Sequence, residues 1–368
     1  MLSCALIDQA RFPSELLTGP QTGSEGELHG EVKARGVTMH IEPTLVRELD
    51  LWKDLVALFR LHAFIKRGRY DVVHTHSATA GGLGRVAARL AGVPVIVHTL
   101  HGVSWNKHHV RFPGSPSGSE DVRPLVGRDG CGGRDRSAGG DRARDRRARP
   151  VRADPLGDRG RSLPRRGDRP DRARARLGIP LDAFVVGSVG RLNHQKAPLE
   201  LLAAFGRLAE MRPEARLVMV GDGAMRDEVH AWVAKSPHRD RIHLLGLRRD
   251  VPEILRALDV FALASHYEGL PRVFPQAMAA GLPIVATRVA GAVDAVIPGE
   301  NGWLVDIGDM EAMARHLDDL ARDPAQARRM GERGRSRAEE FSARRMVQQL
   351  EVLYARLAAE KGLIVAES

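Results

Sequence analysis

Residues 265–287 read SHYEGLPRVFPQAMAAGLPIVAT, directly after the apolar run DVFALA at 259–264. The run has the length of a buried strand. A loop carrying Glu268 and Gly269 follows, and Pro271 is expected to open a helix, where its missing N–H costs nothing. Phe274 and Met278 give that helix an apolar face, Gly281 suits its C-cap, and 283–287 read as the next strand. The order is strand, loop, helix, strand, with a carboxylate at the carboxyl end of the first strand. That edge of an open α/β sheet is where ligands bind. The N–H groups of Gly269 and Leu270, taken at the helix start, favour a phosphate there.

The stretch resembles the retaining GT-B glycosyltransferases of the glycosyltransferase family 4 type. Their pattern sets seven residues, beginning Gly-Leu-Pro, between two glutamates, then Ala-Met-Ala-x-Gly-x-Pro-Val-Val. Glu268 stands at the first glutamate. Gln276 replaces the second, which in the family holds hydroxyls of the nucleotide ribose; glutamine still accepts hydrogen bonds but lacks charge assistance. Residues 190–196, GRLNHQK, are similar to the family's Gly-Arg-Leu-x-x-x-Lys-Gly motif, with Ala197 for the usual glycine. Arg191 and Lys196 are two cations at a strand's carboxyl end, beside a helix start at Pro198, and together can neutralise a diphosphate. The resemblance makes Glu268 the residue that holds sugar hydroxyls. It gives the diphosphate to Arg191, Lys196, Gly269 and Leu270, and the nucleoside to Gln276, Gly246 and Arg248. It also singles out His101, in the Thr-x-His-Gly position, as a catalytic residue reaching the transferred sugar, and His76 as a strand-end residue facing the acceptor.

A chain of 368 residues can hold two domains with full cores. Cys4 and Cys131 stand far apart, so neither a disulfide framework nor a zinc site is implied. Residues 1–20 lack the pattern of a signal peptide, and no apolar stretch approaches the length of a bilayer span. The expected location is cytoplasmic, at most against the inner face of the membrane. The net charge of +10 invites a nucleic-acid or membrane reading, but residues 111–170 alone carry 16 arginines, no lysine and nine acids. The charge argument therefore concerns one segment.

Within 1–50 a short strand, a Gly-rich loop, a helix over 27–35 and a strand over 37–41 are expected. In the resembled family this is the second β-α-β unit of the N-terminal domain. Either the first strand with its Gly-Gly loop precedes this chain, or MLSCALIDQA replaces it. Residues 51–67 place Leu51, Leu55, Leu58, Leu61 and Ile65 at helical spacing, a face for packing on a sheet. With Arg60, Lys66 and Arg67, the alternative is a membrane-surface helix. Strands are expected over 71–76 and 95–100, with a helix over 78–90 between them. Gly81, Gly82 and Gly84 lack the dinucleotide fingerprint spacing, which excludes a nicotinamide site. His74, His76, His98 and His101 sit at strand ends; no carboxylate or cysteine completes a metal set among them.

Residues 112–170 contain no Ile, Met, Tyr, Trp or Lys and keep neither period. Composition reads as a disordered Arg-rich segment, and without stacking aromatics it makes a poor RNA-binding arm. A second reading is two compensating frameshifts. Residues 154–164 are DPLGDRGRSLP; one permissible coding sequence, read one base over, gives IPSGIEVDPFL, similar to the family's interdomain strand and loop. From 171 on, strands and helices alternate, which implies a parallel sheet with helices on both faces.

The expected fold is α/β, GT-B: two Rossmann-like domains with parallel sheets facing a cleft, the N-terminal one incomplete. The divisions are 1–111, 112–170, 171–345 and a crossing helix with its tail over 346–368. The expected function is retaining transfer of a sugar from a nucleotide-diphosphate sugar to a saccharide or lipid-linked acceptor in cell-surface polysaccharide synthesis. No metal or cofactor is needed where protein cations meet the diphosphate, and no nucleic acid is a partner. The alternative is a catalytically impaired remnant that only binds nucleotide-sugar.

Overall fold

Two runs of residues build the described fold, one on each side of the Arg-rich segment. The computed structural model describes residues 2–20, 29–46, 50–77, 79–99 and 170–364. Expectations for 112–169, including the frameshift, and the role of His101 lie outside the described residues. The described residues all belong to one unit, 1–103 with 154–368.

The first run holds α1 (Leu2–Leu6), β1 (Glu15–Thr18), α2 (His29–Ala34), β2 (Thr38–Ile41), α3 (Leu51–Gly68), β3 (Val72–His76), α4 (Thr79–Leu90) and β4 (Val95–Thr99). Strand β1 pairs in parallel with β2, and β3 with β4. Residues 2–6 are thus helical, not a substitute strand. Asp50 caps α3 by accepting from the N–H groups of Trp52 and Lys53. The expected face of α3 is corrected. Its buried residues are Ala57, Leu61 and Ile65, with Leu58 and Phe64 partly covered, whereas Leu51 is 91% exposed and Leu55 43%. Helical spacing fits two stripes of this sequence, and only the one containing Ala57 meets α4. Two glycines of α4, Gly81 and Gly84, serve packing. A Cβ on Gly84 would meet the Thr75 side chain at 2.9 Å, and one on Gly81 the His98 ring at 2.4 Å.

The second run holds α5 (Pro170–Leu177), β5 (Phe184–Val189), α6 (Pro198–Met211), β6 (Ala215–Val220), α7 (Arg226–Lys235), β7 (Ile242–Leu244), α8 (Val251–Leu255), β8 (Val260–Leu263), α9 (Val273–Ala279), β9 (Ile284–Thr287), α10 (Ala290–Ala295), β10 (Gly302–Val305), α11 (Met310–Arg322), α12 (Pro324–Arg337) and α13 (Ala343–Glu360). Six parallel strands lie in the order β10-β9-β8-β5-β6-β7. Alternate residues feed opposite faces. Val186, Leu217, Val260 and Val285 pack with α6 and α11; Val185, Val218, Phe261 and Ile284 pack with α8 and α9. Helix α12 stops at Arg337, and a short 3-10 turn, Ala338–Phe341, follows it.

Helix α13 returns to the first run. Val347 and Tyr354 are buried against Ile7, Phe12, Val72 and Val97, and the Asp8 N–H donates to Glu351 at 2.8 Å. No helix among the described residues is long and apolar enough to cross a membrane.

Candidate functional site

The six-stranded sheet is doubly wound. From β5 the chain steps outward through β6 and β7, then returns to pair β8 against the other side of β5 and continues through β9 and β10. The order reverses between β5 and β8, so the loops leaving their carboxyl ends diverge and open a crevice. Those two loops are residues 190–197 and 264–272.

The first loop is fastened by its backbone. Gly190 N–H donates to Val220 C=O at 2.9 Å, and Leu192 N–H to Asp222 C=O at 3.0 Å. A 3-10 turn, His194–Lys196, follows, capped by the Asn193 side chain, which accepts from Lys196 N–H at 3.0 Å. The Lys196 stem runs past Gly190, where a Cβ would stand 3.6 Å from it. Ala197 then takes a left-handed conformation, φ 44° and ψ 56°, and Pro198 begins α6. A residue with a Cβ pays about 1–2 kcal/mol there. Ala197→Gly removes that strain but frees the unfolded chain, so a net gain of about 0.5–1 kcal/mol is expected. Thermal denaturation checks it: the midpoint should rise by about 2–3 °C, and an unchanged or lower midpoint contradicts it.

The second loop brings Glu268 onto the first. Lys196 Nζ and Glu268 Oε1 form an ion pair, with side chains only 19% and 8% exposed. Ser265 Oγ donates to the same carboxylate oxygen at 2.8 Å, and the Thr287 hydroxyl donates to the Ser265 carbonyl. His266 N–H donates to Gln195 C=O at 2.8 Å, and Gln195 Nε2 to Tyr267 C=O at 3.0 Å. The His266 ring meets Glu200 of α6 at 2.6 Å. A charge pair and two hydrogen bonds therefore stitch the two loops across the switch point, and a third ties the second loop to α6. Arg191 lines the same small hollow as Ser188, Gly190, Lys196 and Leu263.

The helix after this loop starts later than expected. Helix α9 begins at Val273, and Phe274 N–H donates to Pro271 C=O at 2.9 Å, so Gly269 and Leu270 lie ahead of it in the loop. Pro275, rather than Pro271, occupies the first turn, where no donor is needed. What abuts Gly269 and Leu270 is Gly291 at the start of α10: a Cβ on it would fall 1.8 Å from the Gly269 oxygen. Gly281 ends α9 at φ 73°, with Leu282 N–H returning to Ala277 C=O, as its place in the sequence implies.

The remaining candidates stand apart from the ion pair. Gln276 is half-buried on α9. Gly246, at φ 63°, and Arg248 follow β7, two strands from β5 and so about 10 Å away along the edge. Gly246 C=O accepts from Gly221 N–H at 2.9 Å. The Arg248 guanidinium forks onto Asp250 at 2.8 and 2.6 Å, and these bonds hold the Asp250 carboxyl below its usual range. His76 lies in the first run, stacked on His74. Among the described residues, no three His, Cys, Asp or Glu are grouped to hold a metal ion.

Sequence reasoning missed Gln195, Ser265, His266 and Gly291. One signal was available: Ser265 is a polar residue closing an apolar strand, and in the structure it is wholly buried.

Comparison with known proteins agrees with this geometry. The model of the family "Glycosyl transferases group 1" matches residues 170–337, and that of a "Glycosyl transferase 4-like domain" matches residues 4–153. The chain is 32% identical over 300 residues to the Escherichia coli UDP-Gal:alpha-D-GlcNAc-diphosphoundecaprenol alpha-1,3-galactosyltransferase, spanning 75% of this chain and 74% of that protein. It is 37% identical over 161 residues to the lipopolysaccharide core biosynthesis glycosyltransferase LpsE of Rhizobium meliloti, 44% of this chain and 46% of that one. Anabaena HepE in complex with UDP shares its fold, with a TM-score of 0.67 at 18% identity over 93% of this chain and 100% of that one. So does sucrose-phosphate synthase from Thermosynechococcus elongatus, with a TM-score of 0.66 at 21% identity, 94% of this chain and 100% of that one.

Proposed function

The chain belongs to the group 1 glycosyltransferases, of the GT-B fold, and we propose that within them it is a retaining enzyme acting on a nucleotide-diphosphate sugar. The observation that carries the reading is the Lys196–Glu268 pair at the switch point. A cation and a carboxylate that each have a donor group to meet stand in contact where the sheet opens.

In this reading Arg191 and Lys196 hold the diphosphate. As the bond from the sugar carbon to the phosphate oxygen breaks, negative charge grows on the diphosphate. Cations placed beforehand stabilise that charge more than they stabilise the bound donor. Glu268, positioned by Ser265, accepts from sugar hydroxyls, and the Gly269 and Leu270 N–H groups assist at the phosphates. Gln276 takes the ribose, the backbone at Gly246 and Arg248 takes the base, and His101 and His76 serve the sugar and the acceptor. The acceptor hydroxyl oxygen bonds to the sugar carbon on the face the diphosphate vacates, and its proton leaves with the phosphate. Protein cations meet the diphosphate, so turnover is expected to persist in a metal chelator.

The acceptor is a saccharide or a lipid-linked sugar of cell-surface polysaccharide synthesis, the processes named for the relatives above. A face of α3 supports a site at the inner membrane surface. It exposes Leu51, Trp52, Leu55 and Phe59, with Lys53, Arg60, Lys66 and Arg67 on the same helix.

The test uses the full chain with uridine, guanosine and adenosine diphosphate sugars. One donor at about 100-fold excess over its Kd should add about 2.7 kcal/mol of stability. It should also transfer its sugar to a short-chain α-GlcNAc-diphospho-lipid, free or in anionic vesicles, with the donor's anomeric configuration kept. Glu268→Gln should abolish transfer. Donor binding without transfer would favour the impaired remnant; an inverted product would overturn retention.

A further inference from the structure

His74 lies in β3, which pairs with β4, and its ring is held on several sides. The Thr99 hydroxyl meets Nε2 at 2.7 Å, the Tyr354 hydroxyl meets Nδ1, and the His76 ring stacks on it with centroids 4.3 Å apart and planes 29° apart. The stack follows from the strand: residues two apart point to the same face. His76 is the last residue of β3, at its carboxyl edge, and Ser77 after it turns left-handed at φ 64°. A non-glycine residue held there marks a strand end whose direction is tightly set.

Tyr354 belongs to another part of the chain. It is a buried residue of α13, the helix that follows the six-stranded sheet and returns to β3 and β4. Its ring meets Phe12 edge-on at 6.0 Å and His74 edge-on at 5.7 Å. Burial pushes its hydroxyl well above the usual tyrosine range, so it stays a neutral donor and acceptor. A contact chain, Tyr354 to His74 to His76, thus runs from the crossing helix to the edge where the acceptor is read to bind.

We propose that Tyr354 is a positioning residue for transfer: its hydroxyl fixes the His74 ring, and the fixed ring orients His76 towards the acceptor. The proposal rests on the reading of His76 as an acceptor-side residue. Both His74 nitrogens are bonded to hydroxyls, which donate or accept as the tautomer requires. Removing the Tyr354 hydroxyl takes one hydrogen bond from the ring and loosens the surface on which His76 stacks.

Tyr354→Phe in the full chain keeps the ring and its edge-on contacts and deletes only the oxygen. With the α-GlcNAc-diphospho-lipid as acceptor probe, acceptor KM should rise about five- to tenfold, the loss of one hydrogen bond's effect. Donor Kd should hardly move, and the melting temperature should fall by only a few degrees, the cost of one buried hydrogen bond. His76→Ala should raise KM as well, and the double variant should be no worse than His76→Ala alone. Side-chain nitrogen NMR gives a readout without turnover: Tyr354→Phe should shift the ring signals of both His74 and His76 and spare His98. Unchanged His76 signals, additive substitutions, or a donor Kd that weakens as much as acceptor KM would each overturn the proposal. If His76→Ala alone leaves KM untouched, the acceptor-side reading of His76 fails and takes this proposal with it. If His76→Ala acts and Tyr354→Phe does not, only this proposal fails.

Discussion

Lys196→Met is expected to lower kcat by about 10²–10³-fold, the usual effect of removing one preorganised group that meets developing charge. In the unliganded protein the ammonium rests on Glu268, and both side chains are largely covered. The pair therefore holds the cation in place before the donor arrives, so little reorganisation is left for the reaction itself. The substitution has a second consequence. Glu268 keeps Ser265 as a donor but loses its counter-charge, and breaking a buried pair costs about 3–5 kcal/mol. A bare loss of activity would not tell the two effects apart. The double variant Lys196→Met with Glu268→Gln removes both charges and should regain most of the melting temperature while losing transfer altogether, as Glu268→Gln does alone. Donor Kd should weaken less than kcat falls, because the cation meets more charge in the transition state than in the bound donor. Turnover restored in the double variant would show that both charges serve stability and neither serves transfer.

Much of the second run was legible because its strands are apolar runs punctuated by glycine and proline. The run FVVGSV forms β5 over Phe184–Val189, and the C-cap role of Gly281 is the one the structure shows. Which strands are neighbours is a different matter. Local periodicity carries no pairing information, so the meeting of the 190–197 and 264–272 loops came from motif resemblance and is explained only by the strand order. The stitching residues were invisible for a related reason: Gln195 and His266 act through backbone groups of the opposite loop. Gly291 likewise reads as an ordinary small residue until the Gly269 oxygen is found against it. In α3 the reading went too far. A helix with leucines at 51, 55, 58, 61 and phenylalanines at 59 and 64 satisfies the apolar period on two faces, and sequence does not say which one α4 covers.

Arg174→Ala is expected to destabilise the chain by about 3–5 kcal/mol, the cost of breaking a buried, hydrogen-bonded charge pair. The residue illustrates the same gap in sequence reading. In PDRARARL three arginines alternate with small residues, and nothing in composition separates them. The helix turns each arginine by about 200° from the next, so Arg174 turns inward at 7% exposure while Arg176 points out to Glu253. From there Arg174 Nε donates to Ala257 C=O at 3.0 Å, Nη1 to Leu181 and Ala183 C=O at 2.7 and 3.0 Å, and Nη2 to Asp259 at 2.7 Å. Asp259 also accepts from Val185 N–H at 2.8 Å. One guanidinium thus ties α5 to the starts of β5 and β8, the two strands whose opposite ends carry the candidate site. Its place at the amino edge predicts a separation of effects: the melting midpoint should fall by about 10 °C, while the protein that remains folded binds donor with unchanged Kd. Arg174→Lys should recover less than half of the loss, because an ammonium cannot reach several diverging acceptors from a planar fork. A midpoint within about 2 °C of the parent, or a donor Kd that weakens in step with stability, would show that the amino edge is not the independent clamp these bonds describe.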